Sequence, residues 1–490
     1  MRWIKERILG PLALSLLVAA CGGGGGSSGG QAPPTNQPPP GSSGGTRAML
    51  VSGAITGFGS VIVNGVRYDT DTAEVRIEDR AGTISELKVG QVVRLEAQVD
   101  DRGGGRATRI ERHHLLQGVV QSVDVAGGTL TVSGQVVIVD GDTSFDDSIV
   151  PATLAGVAVG DRIEVHGFVA SNGQARATRI EKSDAGGTEV EVKGLVSGHD
   201  PGAKRFHVGN LVVDYSTAAL ERFGSEGPRD GDLVEVEGRE VLVDGALRAS
   251  RVKKEDGGIR GVSGHEAEVE GLVTRFVSPA DFDVAGLRVT ATSATTFLGG
   301  SAVDLALDVK VEAEGRLDAS GVLVATKVEF KRSSSVQLEA RVDAVDPSAG
   351  TLRVLGLTVV GDASTRKEDK QGDDQFFALD DLRVGDWVEV AGFADPATSG
   401  RIVATRLERD DPEDEVELRG SVDSLEAPRL RIVGVNVETT PGTGFEDEDL
   451  RIDAATFFER AAGQVVEVDG SWDGATLTAR EAEIEREGGM

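Results

Sequence analysis

Cysteine occurs once in 490 residues, at Cys21, so no disulfide can form within the chain and every folded unit must be held by burial and pairing alone. Aromatic residues make up 4% of the sequence, and the three Trp and two Tyr leave few π-faces for stacking bases. Lys and Arg number 51 against 81 Asp and Glu, a net charge of -30. A nucleic-acid binder displaces condensed counterions with cations, so this balance argues against a nucleic-acid partner. No G-x-S-x-G elbow, P-loop glycine run or dinucleotide fingerprint is present, and the six histidines form no H-E-x-x-H pattern. The expectation is a non-enzymatic protein with no catalytic residues, no cofactor and no resident metal. Apolar residues at 39% and charged residues at 27% lie in the globular range.

One stretch near the start departs from that composition. Met1 to Arg7 is cationic, Ile8 to Leu17 is apolar apart from Gly10, Pro11 and Ser15, and Val18-Ala19-Ala20-Cys21 closes it with small residues. The apolar run is about half of the roughly 20 residues a spanning helix needs. Its order resembles the lipobox of bacterial lipoprotein precursors. The resemblance implies cleavage before Cys21, removal of 1–20 as a signal peptide, and a lipid on the Cys21 sulfur that anchors the protein to a membrane. Gly22 stands where an Asp would signal retention at the inner membrane, which implies the outer membrane. Gly22 to Thr46 is rich in Gly, Ser, Pro and Gln, and reads as a disordered tether.

From Met49 one pattern recurs six times, at 47–114, 115–184, 189–256, 265–332, 334–411 and 414–487. Its clearest part is a turn entering an alternating strand, as in Val159-Gly160-Asp161-Arg162-Ile163-Glu164-Val165 and Val384-Gly385-Asp386-Trp387-Val388-Glu389-Val390. A closing strand follows, of the kind Ala107-Thr108-Arg109-Ile110-Glu111, Ala177 to Glu181 or Ala404 to Glu408. The fourth copy replaces the turn glycine with Asp308, and the sixth has a looser closing strand around Leu477 to Ile484. Period-2 alternation of valines between Gly, Asp and Asn predicts about five antiparallel strands per copy and an all-β chain. Six small OB-like five-stranded barrels fit that count, with small β-sandwiches as the alternative. Short linkers between copies predict an elongated rod of about 150 Å from the size of each unit.

The segment Ile55-Thr56-Gly57-Phe58-Gly59-Ser60-Val61-Ile62-Val63-Asn64-Gly65-Val66-Arg67-Tyr68-Asp69-Thr70, with the recurring turn and strand, resembles a family of bacterial lipoproteins and secreted proteins carrying tandem copies of a domain of unknown function. The resemblance implies OB-like architecture and no particular chemistry.

Two features are candidates for binding. Acidic runs at Asp140-Gly141-Asp142 with Asp146-Asp147, at Asp410-Asp411 with Glu413-Asp414-Glu415, and at Glu446-Asp447-Glu448-Asp449 could offer oxygens to weakly bound calcium, without the order of an EF-hand loop. His199 and His207 flank a turn at Asp200-Pro201-Gly202 and could face each other across it, whereas the neighbours His113 and His114 should point to opposite faces of a strand. Phe58, Phe145, Phe168, Phe206 and Phe393 read as core. The function expected is that of a membrane-anchored structural or interaction scaffold with an envelope protein or glycan partner; calcium or glycan binding is the alternative.

Overall fold

The computed structural model describes residues 46–485 except 79, 101–103, 184–188, 226, 256–262, 373–374 and 448–449. The leader with Cys21, the tether up to residue 45, and most of the segment between the third and fourth repeats lie outside the described residues.

In the first repeat the alternating valines form the strands Arg47–Gly57, Val61–Val63, Val66–Asp69, Val92–Val99 and Gly105–Arg112, with a further piece at Glu74–Ile77. Val61, Val63, Tyr68, Val93, Leu95 and Ile110 all point inward. The opening strand pairs antiparallel with the second (Ile55↔Val63) and with the fourth (Val51↔Leu95). The third runs parallel to the closing strand (Tyr68↔Gly105), which pairs antiparallel with the fourth (Leu95↔Ile110). The ring of pairings 1-2-3-5-4-1 is closed, as in an OB barrel; a sandwich would leave two separate sheets.

The other five repeats close the same way. Their third and closing strands meet in parallel at Val137↔Ala175, Val213↔Leu247, Val289↔Leu323, Val359↔Ile402 and Val437↔Leu477. Their opening and fourth strands meet at Leu116↔Val165, Val192↔Val236, Val269↔Ala313, Leu338↔Val390 and Leu418↔Val468. Between the third and fourth strands, four repeats have a single 3₁₀ turn, and the sixth has a helix, Ala454–Arg460. Asp453 caps that helix by accepting the Thr456 N–H at 2.8 Å, and Phe457 fills the barrel mouth. Seven residues are too few to show helical periodicity, and the sequence reading has no helix here.

The expected rod is not what forms. The opening strands of the first and fourth repeats pair in parallel, from Met49↔Glu266 to Ser52↔Val269, skipping two repeats. The second and third pair at Leu116↔Val192, and the fifth and sixth at Leu338↔Leu418. The repeats thus make one compact unit. The reason lies in the outward polar residues of the strands: the alternation rule assigns them to solvent, and here many of them face another barrel.

Candidate functional site at the junctions between repeats

The closing strand Ala-Thr-Arg-Ile-Glu turns Ala and Ile into its own barrel. A register shift opposite it, as between His166 and Gly167, leaves Thr and Arg both facing outward. In the second repeat, that outer face grips the first. Thr178 Oγ donates to the Gly90 carbonyl at 2.6 Å, Arg179 Nη1 donates to the Val89 carbonyl at 3.1 Å, and Gln91 Nε2 donates to Glu181 at 3.0 Å. Arg179 also meets Glu368 of the fifth repeat at 3.0 Å, and its side chain is 2% exposed. Burial alone would lower the guanidinium pKa, but the carboxylates of Glu368 and Glu181 outweigh it and raise it.

The fifth repeat uses its closing strand in the same manner. Thr405 Oγ donates to Asp142 Oδ1 at 2.5 Å, Arg406 Nε donates to the Gly141 carbonyl at 3.0 Å, and Ser144 Oγ donates to Glu408 at 2.9 Å. Asp147 meets Lys370 at 3.2 Å, and Asp146 lies 3.8 Å from Arg179. The first acidic run is therefore occupied in joining the second repeat to the fifth. In the other two runs, Glu415 pairs with Arg480, Glu446 with Arg451, and Asp447 with Arg460. Glu448 and Asp449 lie outside the described residues.

Where the first four repeats meet, charged side chains surround a cavity of about 90 Å³. Arg94, His113, His114, Lys193, Glu255 and Glu270 reach it. The two histidines do not point apart as expected, because the strand ends at Arg112, and both meet Glu78, at 3.4 and 3.0 Å. Both His114 ring nitrogens lie 3.0 Å from a carboxylate oxygen, Nδ1 from Glu78 of the first repeat and Nε2 from Glu191 of the third. These are close ionic contacts off the N–H axes rather than aligned hydrogen bonds. Burial pushes the His114 pKa down, but Glu191 and Glu78 more than reverse this and bring it to about 10. Lys193 donates to the His114 carbonyl at 3.0 Å and pairs with Glu235 at 3.2 Å. Arg94 reaches Glu255 at 2.7 Å. Burial raises Glu235, yet Lys193 and Lys253 outweigh it and hold its pKa at about 2.

Imidazole and carboxylate atoms converge within 4.8 Å at Glu78, His114 and Glu191, at Glu164, His166 and Glu181, and carboxylates alone at Glu191, Glu235 and Glu237. Each convergence already contains a cation from the protein. The first has the imidazolium of His114. In the second, Arg112 sits 3.6 Å from Glu164 and 3.7 Å from Glu181. In the third, Lys193 lies 3.8 Å from Glu191, and Arg251 pairs with Glu235 at 3.0 Å and with Glu237. Their chemistry is charge neutralisation, across junctions in the first two and within the third repeat in the last. Sequence reasoning missed this hub because its members come from three repeats, and no local spacing links them.

His199 and His207 do not face each other. A register shift between Ser197 and Asp200 displaces His199, whose Nε2 lies 2.8 Å from the Tyr215 hydroxyl. Phe58, Phe145 and Phe206 are buried in barrel interiors, and Phe393 is half-buried under Arg332. Phe168 is buried elsewhere, against Leu272 of the fourth repeat.

A second opening, of about 450 Å³, lies between the second and third repeats. Gln135, Ser171, Asn172, Gln174, Ser197 and Asn210 supply its polar groups, and among the described residues no ionisable side chain lines it.

The closed five-stranded ring and the junctions define a repeat protein of OB-type barrels. Six segments, 51–111, 117–181, 193–253, 270–329, 339–408 and 419–483, match the family described as "Domain of unknown function (DUF5666)", and the chain belongs to that family. No curated protein matches it. Three solved chains do. One is "drosophila Unr CSD456", 15% identical, covering 45% of this chain and 98% of that one at a TM-score of 0.11. Among the described residues, no helix is long and apolar enough to cross a membrane.

Proposed function

We propose that this chain is a non-enzymatic envelope protein, anchored by a lipid on Cys21, whose six-barrel body is an interaction scaffold. The observation that supports it is the use made of the closing strand. Its Thr, Arg and Glu, the polar residues that recur most plainly in the sequence, bind neighbouring barrels in the second and fifth repeats. A domain whose outer face grips other domains suits assembly, and repeating it multiplies the contact area. The anchor rests on Val18-Ala19-Ala20-Cys21. Metabolic labelling with an alkyne fatty acid, followed by membrane fractionation, tests it: the wild type takes label and sediments with membranes, and Cys21→Ser does neither. An unlabelled, freely soluble wild type would defeat the reading.

The cleft between the second and third repeats favours a second reading, glycan binding. On a chain with a net charge of -30, an opening lined by amides and hydroxyls without an ionised group suits a neutral polyhydroxylated ligand. Titration with neutral oligosaccharides tests it, with Asn172→Ala and Gln174→Ala weakening any binding. Equal binding by wild type and both variants places the ligand elsewhere.

A further inference from the structure

The grip of the second repeat on the first has two halves, and each half occurs once more with no other barrel against it among the described residues, Thr108 donating instead to the Glu96 carbonyl of its own repeat at 3.0 Å. The inserted half is the turn Val89-Gly90-Gln91, all three residues buried. Gly90 has φ +84°, and a Cβ there would press on the Thr178 carbonyl at 2.8 Å, so the strand admits only glycine at this point. The receiving half is Ala177-Thr178-Arg179-Ile180-Glu181, with Arg179 Nε donating to Glu181 Oε1 at 2.7 Å.

The same five residues stand at Ala107-Thr108-Arg109-Ile110-Glu111 in the first repeat. The same fork is formed there, with Arg109 Nε donating to Glu111 Oε1 at 2.7 Å. Thr108 is exposed, and the Arg109 side chain is 35% exposed against 2% for Arg179. Gly-Gln recurs among the turns only at Gly463-Gln464 of the sixth repeat: Asp161, Asp232 and Asp386 take the glutamine's place in three others, and the fourth repeat has Asp308-Val309 instead. Ala462, Gly463 and Gln464 are exposed, Gly463 has φ +71°, and a Cβ on it would meet nothing within 4 Å.

The glutamine discriminates between the turns. Its amide donates to the strand's glutamate, whereas an aspartate there would set two carboxylates together. The side chain before the glycine matters less, because the Val89 contact to Arg179 is through its carbonyl.

We propose that the turn Ala462-Gly463-Gln464 of one molecule docks on the closing strand Ala107–Glu111 of a second copy, repeating between molecules the contact that joins the first two repeats. The two surfaces differ, so the contact is heterologous and leads to a ring or an open filament. This goes beyond the anchoring and scaffold reading and does not depend on it.

The test uses full-length chains in which Cys21→Ser removes the native thiol. Thr108→Cys is placed in one tagged chain and Gln464→Cys in another, and the mixture is treated with a short bismaleimide. Covalent dimers of the two tags are expected, and a ladder when both substitutions share one chain. Arg109→Asp added to the Thr108→Cys chain should cut the dimer yield by more than about tenfold, because it sets a carboxylate beside Glu111 where the turn must dock. A chain carrying Asp161→Cys in place of Gln464→Cys should give none. Absence of dimers, equal yield from the Asp161→Cys chain, or insensitivity to Arg109→Asp overturns the proposal.

Discussion

Gly167, Gly238, Gly315, Gly392 and Gly470 stand at one point of the fourth strand in five repeats, each at a register shift. A Cβ at any of them would fall on a carbonyl oxygen of the closing strand, that of Val403 for Gly392. Gly392→Ala should therefore cost about 1–3 kcal/mol, the range for overpacking a fitted site, read as a lowered denaturation midpoint. The first repeat has Ala97 here, and nothing around it explains the exception. His114 gives a pH signature. Its folded pKa of about 10 exceeds the unfolded value of 6.5, so its contribution is complete below 6.5 and is lost as pH rises toward 10. Glu78 is held well below 4.5, so its contribution is present above 4.5 and is lost as pH falls through its lower folded value. Denaturant midpoints across pH should decline above 6.5 in the wild type and decline less in His114→Gln.

Among the elements, the closing strand carries the sharpest contrast. Arg179→Met leaves Glu181 and Glu368 without their guanidinium and should cost about 3–5 kcal/mol. Arg109→Met, at a half-exposed copy of the site, should stay within about 0.5 kcal/mol. Paired unfolding curves check both, and hydrogen exchange at 88–91 should quicken only in Arg179→Met. The strands joining the fifth and sixth repeats place Glu339 directly across from Glu417. Burial raises Glu339 to about 7, with Glu389 adding to it, and raises Glu417 well above its usual range, with Glu467 adding to it. A raised carboxyl contributes fully below its unfolded value of 4.5 and loses that contribution as pH rises through 7. Protection factors at 337–339 and 417–419, exchange rates divided into the intrinsic rate at each pH, should thus fall between pH 5 and 8, and Glu417→Gln should flatten the fall.

The strands themselves were legible, because a half-buried strand writes its period of two into positions such as Leu130, Val132 and Val137. The Val-Gly-Asp turns and their variants marked the fourth strands, the glycine missing only from Leu307-Asp308-Val309. What did not show was which neighbour a polar residue faces: Thr108 and Thr178 sit in identical five-residue segments, one exposed and one 5% exposed. Long-range partners settle that difference, and spacing does not encode them. Glu78, His114 and Glu191 were hidden for the same reason.

For the whole molecule, the pairing of the first repeat with the fourth predicts that small-angle scattering of the folded body returns a radius of gyration of roughly 22 Å by compact-chain scaling. A string of separated barrels would return about twice that. The same pairing also bears on the order of events. Ala54 N–H donates to Glu270, 216 positions along the chain. The chain emerges N-terminus first, whether from the ribosome or across a membrane, so the first barrel is complete before the strand that covers its edge has arrived. During that interval Met49 to Ser52 present an unpaired strand edge, a template for pairing with the wrong chain. Each newly made molecule passes through a timed period of vulnerability, set by the distance in sequence between two strands that end side by side.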